Sequence, residues 1–190
     1  YYSFLTGMSE EKSKYKVIHN FMNHIAFSAL QHLIIETDFS WFKRERQVYT
    51  KDKKELGYLT HSFFNNYHPG SVYYKDYIIP ILNQLKVAGV IQVRANLTPS
   101  VFYIEKGSAF HCDYIFESPS KTAILYLKTT DGGTELKINN EIKFIKDEEN
   151  KMLIFDSDVQ HRGIVSKDSD FRYLINFNYF EGKLKNENSR

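Results

Sequence analysis

Arg172-Tyr173-Leu174-Ile175-Asn176-Phe177-Asn178-Tyr179 alternates along its whole length, with Tyr173, Ile175, Phe177 and Tyr179 on one face and Arg172, Leu174, Asn176 and Asn178 on the other. A period of two is that of a β-strand, whose successive side chains leave opposite faces. The aromatic and β-branched face is core. The other is polar apart from Leu174, and a buried amide or guanidinium without a partner is costly, so polar residues aimed into a small barrel need a ligand in its mouth.

Outward from this strand, the chain from Ala88 onward reads as short strands separated by turn residues, the pattern of an antiparallel sandwich or jelly roll. Strands are predicted over 91–97, 101–105, 122–128, 135–138, 141–145, 152–155 and 171–180. Asp131-Gly132-Gly133 and Asn139-Asn140 supply residues that tolerate positive φ and mark hairpin-type turns. Before Ala88 the periodicity is helical. Ala29, Leu30, Leu33 and Ile34 predict an amphipathic helix over 28–36, ending near Thr37. A second helix is expected over 71–85, capped by Ser71, and Pro80 inside it predicts two short pieces rather than one rod. The expected fold is therefore mainly β, a distorted double-stranded β-helix (a cupin-like jelly roll) over 89–180, buttressed by an N-terminal helical part with substrate loops over 1–88. With 190 residues the working count is one domain.

Composition narrows the function classes. The 14 Tyr and 15 Phe favour a pleated, half-buried core. A net charge of +2 provides no field for general phosphate-backbone binding, so no generic nucleic-acid affinity is expected. The basic run Lys43-Arg44-Glu45-Arg46 reads as a solvated strand edge. Cys112 is the one cysteine and cannot form an internal disulfide. No apolar run is long enough for a transmembrane helix, and residues 1–5 lack a signal-peptide start, so a cytoplasmic location without a membrane partner is expected.

The chemistry centres on His111-Cys112-Asp113. On an extended segment His111 and Asp113 share a face and can reach one ion, while Cys112 turns away as a small hydrophobe. His161 can complete the set if the roll brings the two segments together. Two imidazoles and a carboxylate on one side of a metal leave positions open for substrate and O2, an arrangement suited to non-heme Fe(II). The same ligands also hold Zn with a water, so a zinc-dependent hydrolase and a non-catalytic, cupin-like metal or ligand-binding module stand as alternatives. Arg172 favours the first reading, because its planar fork suits the far carboxylate of a dicarboxylate cosubstrate.

Thr122-Ala123-Ile124-Leu125-Tyr126-Leu127, Asp131-Gly132-Gly133-Thr134-Glu135-Leu136, Met152-Leu153-Ile154-Phe155-Asp156, His161-Arg162-Gly163 and Arg172-Tyr173-Leu174-Ile175-Asn176-Phe177 stand in the order seen in Fe(II)/2-oxoglutarate dioxygenases. The series resembles the prolyl-4-hydroxylase-like branch in its compact phage and bacterial form, over roughly residues 91–180. The resemblance implies hydroxylation of an unactivated C–H bond, first of a prolyl or other peptidyl substrate, with release of succinate and CO2. It implies Fe(II) held by His111, Asp113 and His161, 2-oxoglutarate and O2 as cosubstrates, and ascorbate as reductant. It also places Arg172 on the distal carboxylate of 2-oxoglutarate, Tyr126 beside that arginine, and Tyr103 near the metal. Asp113 sets the chain apart from halogenating relatives, which lack that carboxylate. Alternation adds Ile124 as a cosubstrate wall and Asn178, on the inward face of the last strand, as a further cosubstrate-binding residue. His61 and His68 are expected in a loop with Asn65, Asn66 and Tyr67, and residues 44–77 are expected to form a mobile flap over the metal, with Tyr58, Phe63 and Tyr67 contacting substrate.

Overall fold

The computed structural model describes residues 14–44, 58–100, 108–114 and 118–182. In chain order the elements are β1 (Tyr15–Ile18), α1 (His24–Glu36), β2 (Phe42–Arg44), β3 (Tyr58–Asn65), β4 (His68–Pro69), a π-helical turn (Tyr74–Ile78), α2 (Ile79–Gln84) and β5 (Val87–Pro99). There follow β6 (Lys121–Tyr126), β7 (Gly133–Ile138), β8 (Glu141–Lys146), β9 (Lys151–Asp156), β10 (His161–Ile164) and β11 (Phe171–Glu181). The large sheet runs β1-β9-β6-β11-β5-β3-β2, with β4 paired to β3, and a smaller one runs β10-β7-β8. The two antiparallel sheets make the expected jelly roll.

β11 is its axis. It lies between β5 and β6, and its alternation divides the interior as the sequence predicts. Ile175, Phe177 and Tyr179 enter an apolar layer with Leu30, Ile34, Phe63 and Leu125, where the helices cover the outer face of the large sheet. Leu174 faces the other way, into a cluster with Ile124, Tyr126, Leu136, Leu153, Phe155 and Val159 between the sheets.

Helix α1 begins four residues earlier than the periodicity predicts. Asn23 caps it by accepting the Ile25 N–H, and the intervening Ile25 is exposed, so the apolar stripe does not report that first turn. Phe27, Leu30 and Ile34 form the buried stripe. The second helical stretch is two pieces, as Pro80 predicts. The π-helical turn ends at Ile78, and Pro80 falls in the first turn of α2, where a missing N–H breaks no helical hydrogen bond.

The sheet also recruits chain before residue 88 that was expected as loop. His61 lies within β3, not in a loop; its ring is buried, flanked by Phe39 and Phe63, with Nδ1 2.8 Å from the Ser40 carbonyl and Nε2 2.8 Å from Ser71 Oγ. The flap expectation fails over its second half for the same reason. Tyr58 and Phe63 are buried in β3, which pairs directly with β5, and a strand hydrogen-bonded on both sides is scaffold rather than lid. Asn66 and Tyr67, with φ of 51° and 66°, make the tight turn into β4, and Tyr67 is fully exposed there. Residues 45–57 of the expected flap, and the expected strand over 101–105, lie outside the described residues. The basic run begins on β2, an exposed strand at the end of the large sheet.

Candidate metal centre and its anion clamp

Backbone pairing brings the two histidines together. His111 N–H donates to the His161 carbonyl at 3.0 Å and His161 N–H returns to the His111 carbonyl at 2.8 Å. A second tie lies two residues along, where Ser108 N–H donates to the Gly163 carbonyl and Gly163 N–H to Ser108 Oγ. The segment carrying His111 is thereby zipped to β10, and the imidazole centroids lie 4.5 Å apart. Both rings are oriented alike. Nδ1 of His111 is 3.0 Å from the Ala109 carbonyl, and Nδ1 of His161 is 3.2 Å from the Val159 carbonyl. Since a carbonyl can only accept, each Nδ1 carries the proton and each Nε2 presents a lone pair.

Asp113 meets those lone pairs with one oxygen. Its Oδ1 is 3.7 Å from Nε2 of His111 and 3.7 Å from Nε2 of His161. Ligand atoms each about 2.1 Å from one ion stand about 3 to 4 Å apart, so the donor set fits a single metal. The other oxygen, Oδ2, accepts a hydrogen bond of 2.9 Å from each of two amides, Asn176 Nδ2 and Asn178 Nδ2. Burial pulls the carboxyl's pKa upward, but His161, the two amide donors and His111 together bring it below the usual carboxylate value. Asp113 is thus held ionised for a metal. His161 moves the other way: burial, against the pull of Asp113, lowers its pKa and keeps it a neutral ligand.

Arg172 lies on β11, its guanidinium buried. Nε reaches Asp147 Oδ2 at 2.6 Å and Nη2 reaches Asp147 Oδ1 at 2.9 Å, a bidentate pair, while Nη2 also donates to Thr134 Oγ1 at 3.2 Å. Burial disfavours its charge, but the adjacent carboxylate more than offsets this, so the pKa is raised and Arg172 stays cationic. Of its five N–H groups the two on Nη1 have no hydrogen-bond partner among the described residues. Nη1 sits 3.1 Å from where a Cβ on Gly163 would be, so the glycine next to the metal strand leaves room for it.

Tyr126 does not touch the arginine directly. Its buried hydroxyl donates to Thr134 Oγ1 at 2.9 Å, so Thr134 joins the two, with the Arg172 guanidinium carbon 5.8 Å from the ring centre. Burial raises the tyrosine's pKa far above normal, and it remains a neutral donor. Thr134 accepts both bonds, which leaves its own hydroxyl proton for another acceptor. Ile124 lines the cavity as expected. Asn178 is buried behind it, its two amide protons taken by Asp113 and Thr122. Tyr103 lies outside the described residues. Cys112 donates to the Asp158 carbonyl at 3.2 Å, and burial pushes its thiol pKa up, with Asp158 and Asp113 adding to the effect.

His111, Asp113, His161 and Arg172 line one cavity of about 330 Å³, within the range of small-molecule sites. Its lining adds Thr134 and the β5 set Gln92, Arg94 and Asn96, which the sequence does not single out, and includes Tyr58, which the flap expectation names. Thr134 was visible only as part of a turn motif. The β5 set carries the same alternating signal as β11, polar at 92, 94 and 96 and apolar at 91, 93, 95 and 97.

No family model matches the chain, and no curated protein matches it. Solved structures do. A prolyl-4-hydroxylase from Pseudomonas putida aligns with 89% of this chain and 94% of its own, with a TM-score of 0.59 and 13% identity. A prolyl hydroxylase from Trichoplax adhaerens, solved with a hypoxia-inducible-factor peptide, aligns with 94% of this chain and 89% of its own at TM-score 0.65 and 15% identity. An oxidoreductase of the 2OG-Fe(II) oxygenase family from Burkholderia pseudomallei gives TM-score 0.67 over 90% of this chain and 88% of its own, at 6% identity. The chain has the fold of the 2-oxoglutarate/Fe(II) oxygenases.

Proposed function

We propose that the protein is an Fe(II)- and 2-oxoglutarate-dependent oxygenase that hydroxylates an unactivated C–H bond, first of a prolyl or other peptidyl substrate. The observation that carries this reading is the pairing, in one cavity, of a His111–Asp113–His161 ligand set with a buried cationic arginine whose Nη1 has no partner among the described residues. The zinc-hydrolase alternative leaves that arginine unexplained. Iron, when bound, supplies the redox chemistry that couples oxidative decarboxylation of 2-oxoglutarate by O2 to oxygen insertion, yielding succinate and CO2.

The chain's own part is binding, orientation and exclusion of water. His111 and His161 hold Nε2 toward the ion because their Nδ1 protons are committed to backbone carbonyls. Asp113 offers Oδ1 because Asn176 and Asn178 hold Oδ2. Arg172 takes the distal carboxylate of 2-oxoglutarate through Nη1, with the Thr134 hydroxyl as second donor and Ile124 as the apolar wall. Asp147 keeps the guanidinium charged and fixed before the cosubstrate arrives.

Succinate formation from 2-oxoglutarate, measured with and without Fe(II), tests the assignment. Wild-type protein is expected to form succinate only with iron, and His161→Ala to lose that turnover and its bound iron while melting cooperatively. Unchanged iron stoichiometry and rate in His161→Ala would remove it from the ligand set.

A further inference from the structure

Among the described residues, three side-chain polar atoms are shut off from solvent without a hydrogen-bond partner: Ser62 Oγ, Arg94 Nε and Asn176 Oδ1. They form one row. Asn176 on β11 pairs with Arg94 on β5, and Arg94 pairs with Ser62 on β3. Directly paired residues share a face of the sheet, and Arg94 and Asn176 both line the metal cavity. Buried polar groups without partners are rare, and the two of this row that line the cavity, Arg94 and Asn176, are placed for bonds that a ligand completes.

Arg94 is the informative member. It is half-buried and has neither an ion pair nor a hydrogen bond among the described residues. Its polar neighbours cannot neutralise it. Gln92 donates to Asn65, and Asn96 accepts from Thr60. Asp113 has one oxygen facing the two histidines and the other under two amides. A bond from Arg94 to Asn176 Oδ1 would satisfy one of five N–H groups and leave the charge uncompensated. Among the described residues nothing neutralises Arg94, and an anion bound in the cavity would. Arg172 and Arg94 stand on rows four residues, about 13 Å, apart along the strand backbone, and Arg172 is already paired with Asp147, so each can hold an anion of its own.

Asn176 says what stands beside that anion. Its amide nitrogen is committed to Asp113, so the atom left over is an acceptor, Oδ1. A ligand on this row presents an anionic acceptor to Arg94 and a hydrogen-bond donor to Asn176. We propose that the Arg94–Asn176 pair recognises the substrate, and that the substrate is an α-amino acid with a free carboxylate, either the free molecule or the C-terminal residue of a chain. The carboxylate meets Arg94 and the amino or amide N–H meets Asn176. This rests on the oxygenase reading above, with 2-oxoglutarate occupying Arg172.

The test uses protein loaded with Mn(II), which does not turn over, and follows two binding reactions by calorimetry. The first is 2-oxoglutarate alone. The second, in saturating 2-oxoglutarate, is a panel of proteinogenic L-amino acids, their N-acetyl derivatives and their primary amides. At least one acid is expected to bind, with its amide weaker by about tenfold or more, the loss of a charge-assisted contact. Preference for the free over the N-acetylated acid would identify the free molecule, and equal or better binding of the N-acetyl form a chain end. Arg94→Met should abolish the preference for acid over amide and leave 2-oxoglutarate binding within about twofold, whereas Arg94→Lys, which keeps the charge, should retain the preference. Thermal melts confirm that both variants fold. The proposal is overturned if no acid binds, if acids and amides bind alike, or if Arg94→Met keeps the preference. It is also overturned if Arg94→Met weakens 2-oxoglutarate in the absence of any amino acid, which would assign Arg94 to the cosubstrate. Failure of the wild-type protein to bind 2-oxoglutarate in the first titration would instead overturn the oxygenase reading, and this proposal with it.

Discussion

Replacing Arg172 by lysine separates the two tasks of this residue. The guanidinium makes two hydrogen bonds to Asp147 and one to Thr134, and offers Nη1 to the cavity. A lysine ammonium is a point charge on a different stem and cannot make the fork and reach the cosubstrate at once. If it stays with Asp147, the carboxylate keeps a counter-ion but loses one charge-assisted bond, worth about 1.5 to 3 kcal/mol, and the cosubstrate loses its direct partner. A comparable loss on the ligand side corresponds to a 2-oxoglutarate affinity lower by roughly tenfold or more. Two readings are therefore expected: a lower thermal midpoint for the ligand-free protein, and a weaker calorimetric Kd for 2-oxoglutarate on Mn(II)-loaded protein, with Mn(II) affinity unchanged. Tyr126→Phe, which removes only the donor to Thr134, should shift the 2-oxoglutarate Kd in the same direction by less. Wild-type affinity for 2-oxoglutarate in a folded Arg172→Lys protein would refute the clamp.

Gly163→Ala places a methyl group 3.1 Å from Arg172 Nη1, and the guanidinium cannot easily give way because Asp147 holds it from behind. We expect a cost of about 1 kcal/mol or more from overpacking, and a weaker 2-oxoglutarate Kd, which calorimetry on the Mn(II) form would detect; an unchanged Kd would show that Nη1 does not face the cosubstrate. The pH dependence of stability should report His61, whose pKa burial lowers below 6.5, partly countered by the hydrogen bond to Ser40. Because the unfolded chain protonates first, its contribution is fully present above about pH 6.5 and is lost as pH falls below that value. His61→Gln should flatten the acid-side decline of the unfolding free energy, measured by urea titration between pH 7 and 5, and an identical slope in variant and wild type would rule His61 out as its source.

The jelly roll and the gathering of His111 and Asp113 beside His161 were legible from a period of two and the order of the motifs. His111 and Asp113 share a face for the same reason that Arg172, Leu174, Asn176 and Asn178 do, and neither inference needs tertiary information. Arg94 was equally visible, since Gln92, Arg94 and Asn96 alternate with apolar neighbours on a predicted strand; the reasoning applied to β11 extends to β5 unchanged. Asp147 was not visible. It stands in Lys146-Asp147-Glu148-Glu149, a charged run that reads as solvated turn, and only the fold brings it against a residue 25 positions away. The second half of the expected flap failed because Asn65, Asn66 and Tyr67 signal a turn, and the turn is real but two residues wide, inside a hairpin whose first strand is core.

Asn176 links the parts of the site that the strands deliver separately. Its amide has two ends, one donating to Asp113 Oδ2 and the other aimed along the row that holds Arg94. Turning the amide over would set its oxygen against a carboxylate oxygen that can only accept, so the metal-binding carboxylate fixes which end faces the row. The consequence runs in both directions. Two donors on Oδ2 leave the Asp113 Oδ1 facing the two histidines, and supplying one of them from Asn176 leaves a buried amide oxygen with no partner among the described residues. A polar inner face on a central strand, which would be a defect in an apolar core, is stable here because one side of it is completed by the carboxylate and the other stands open to what the cavity binds.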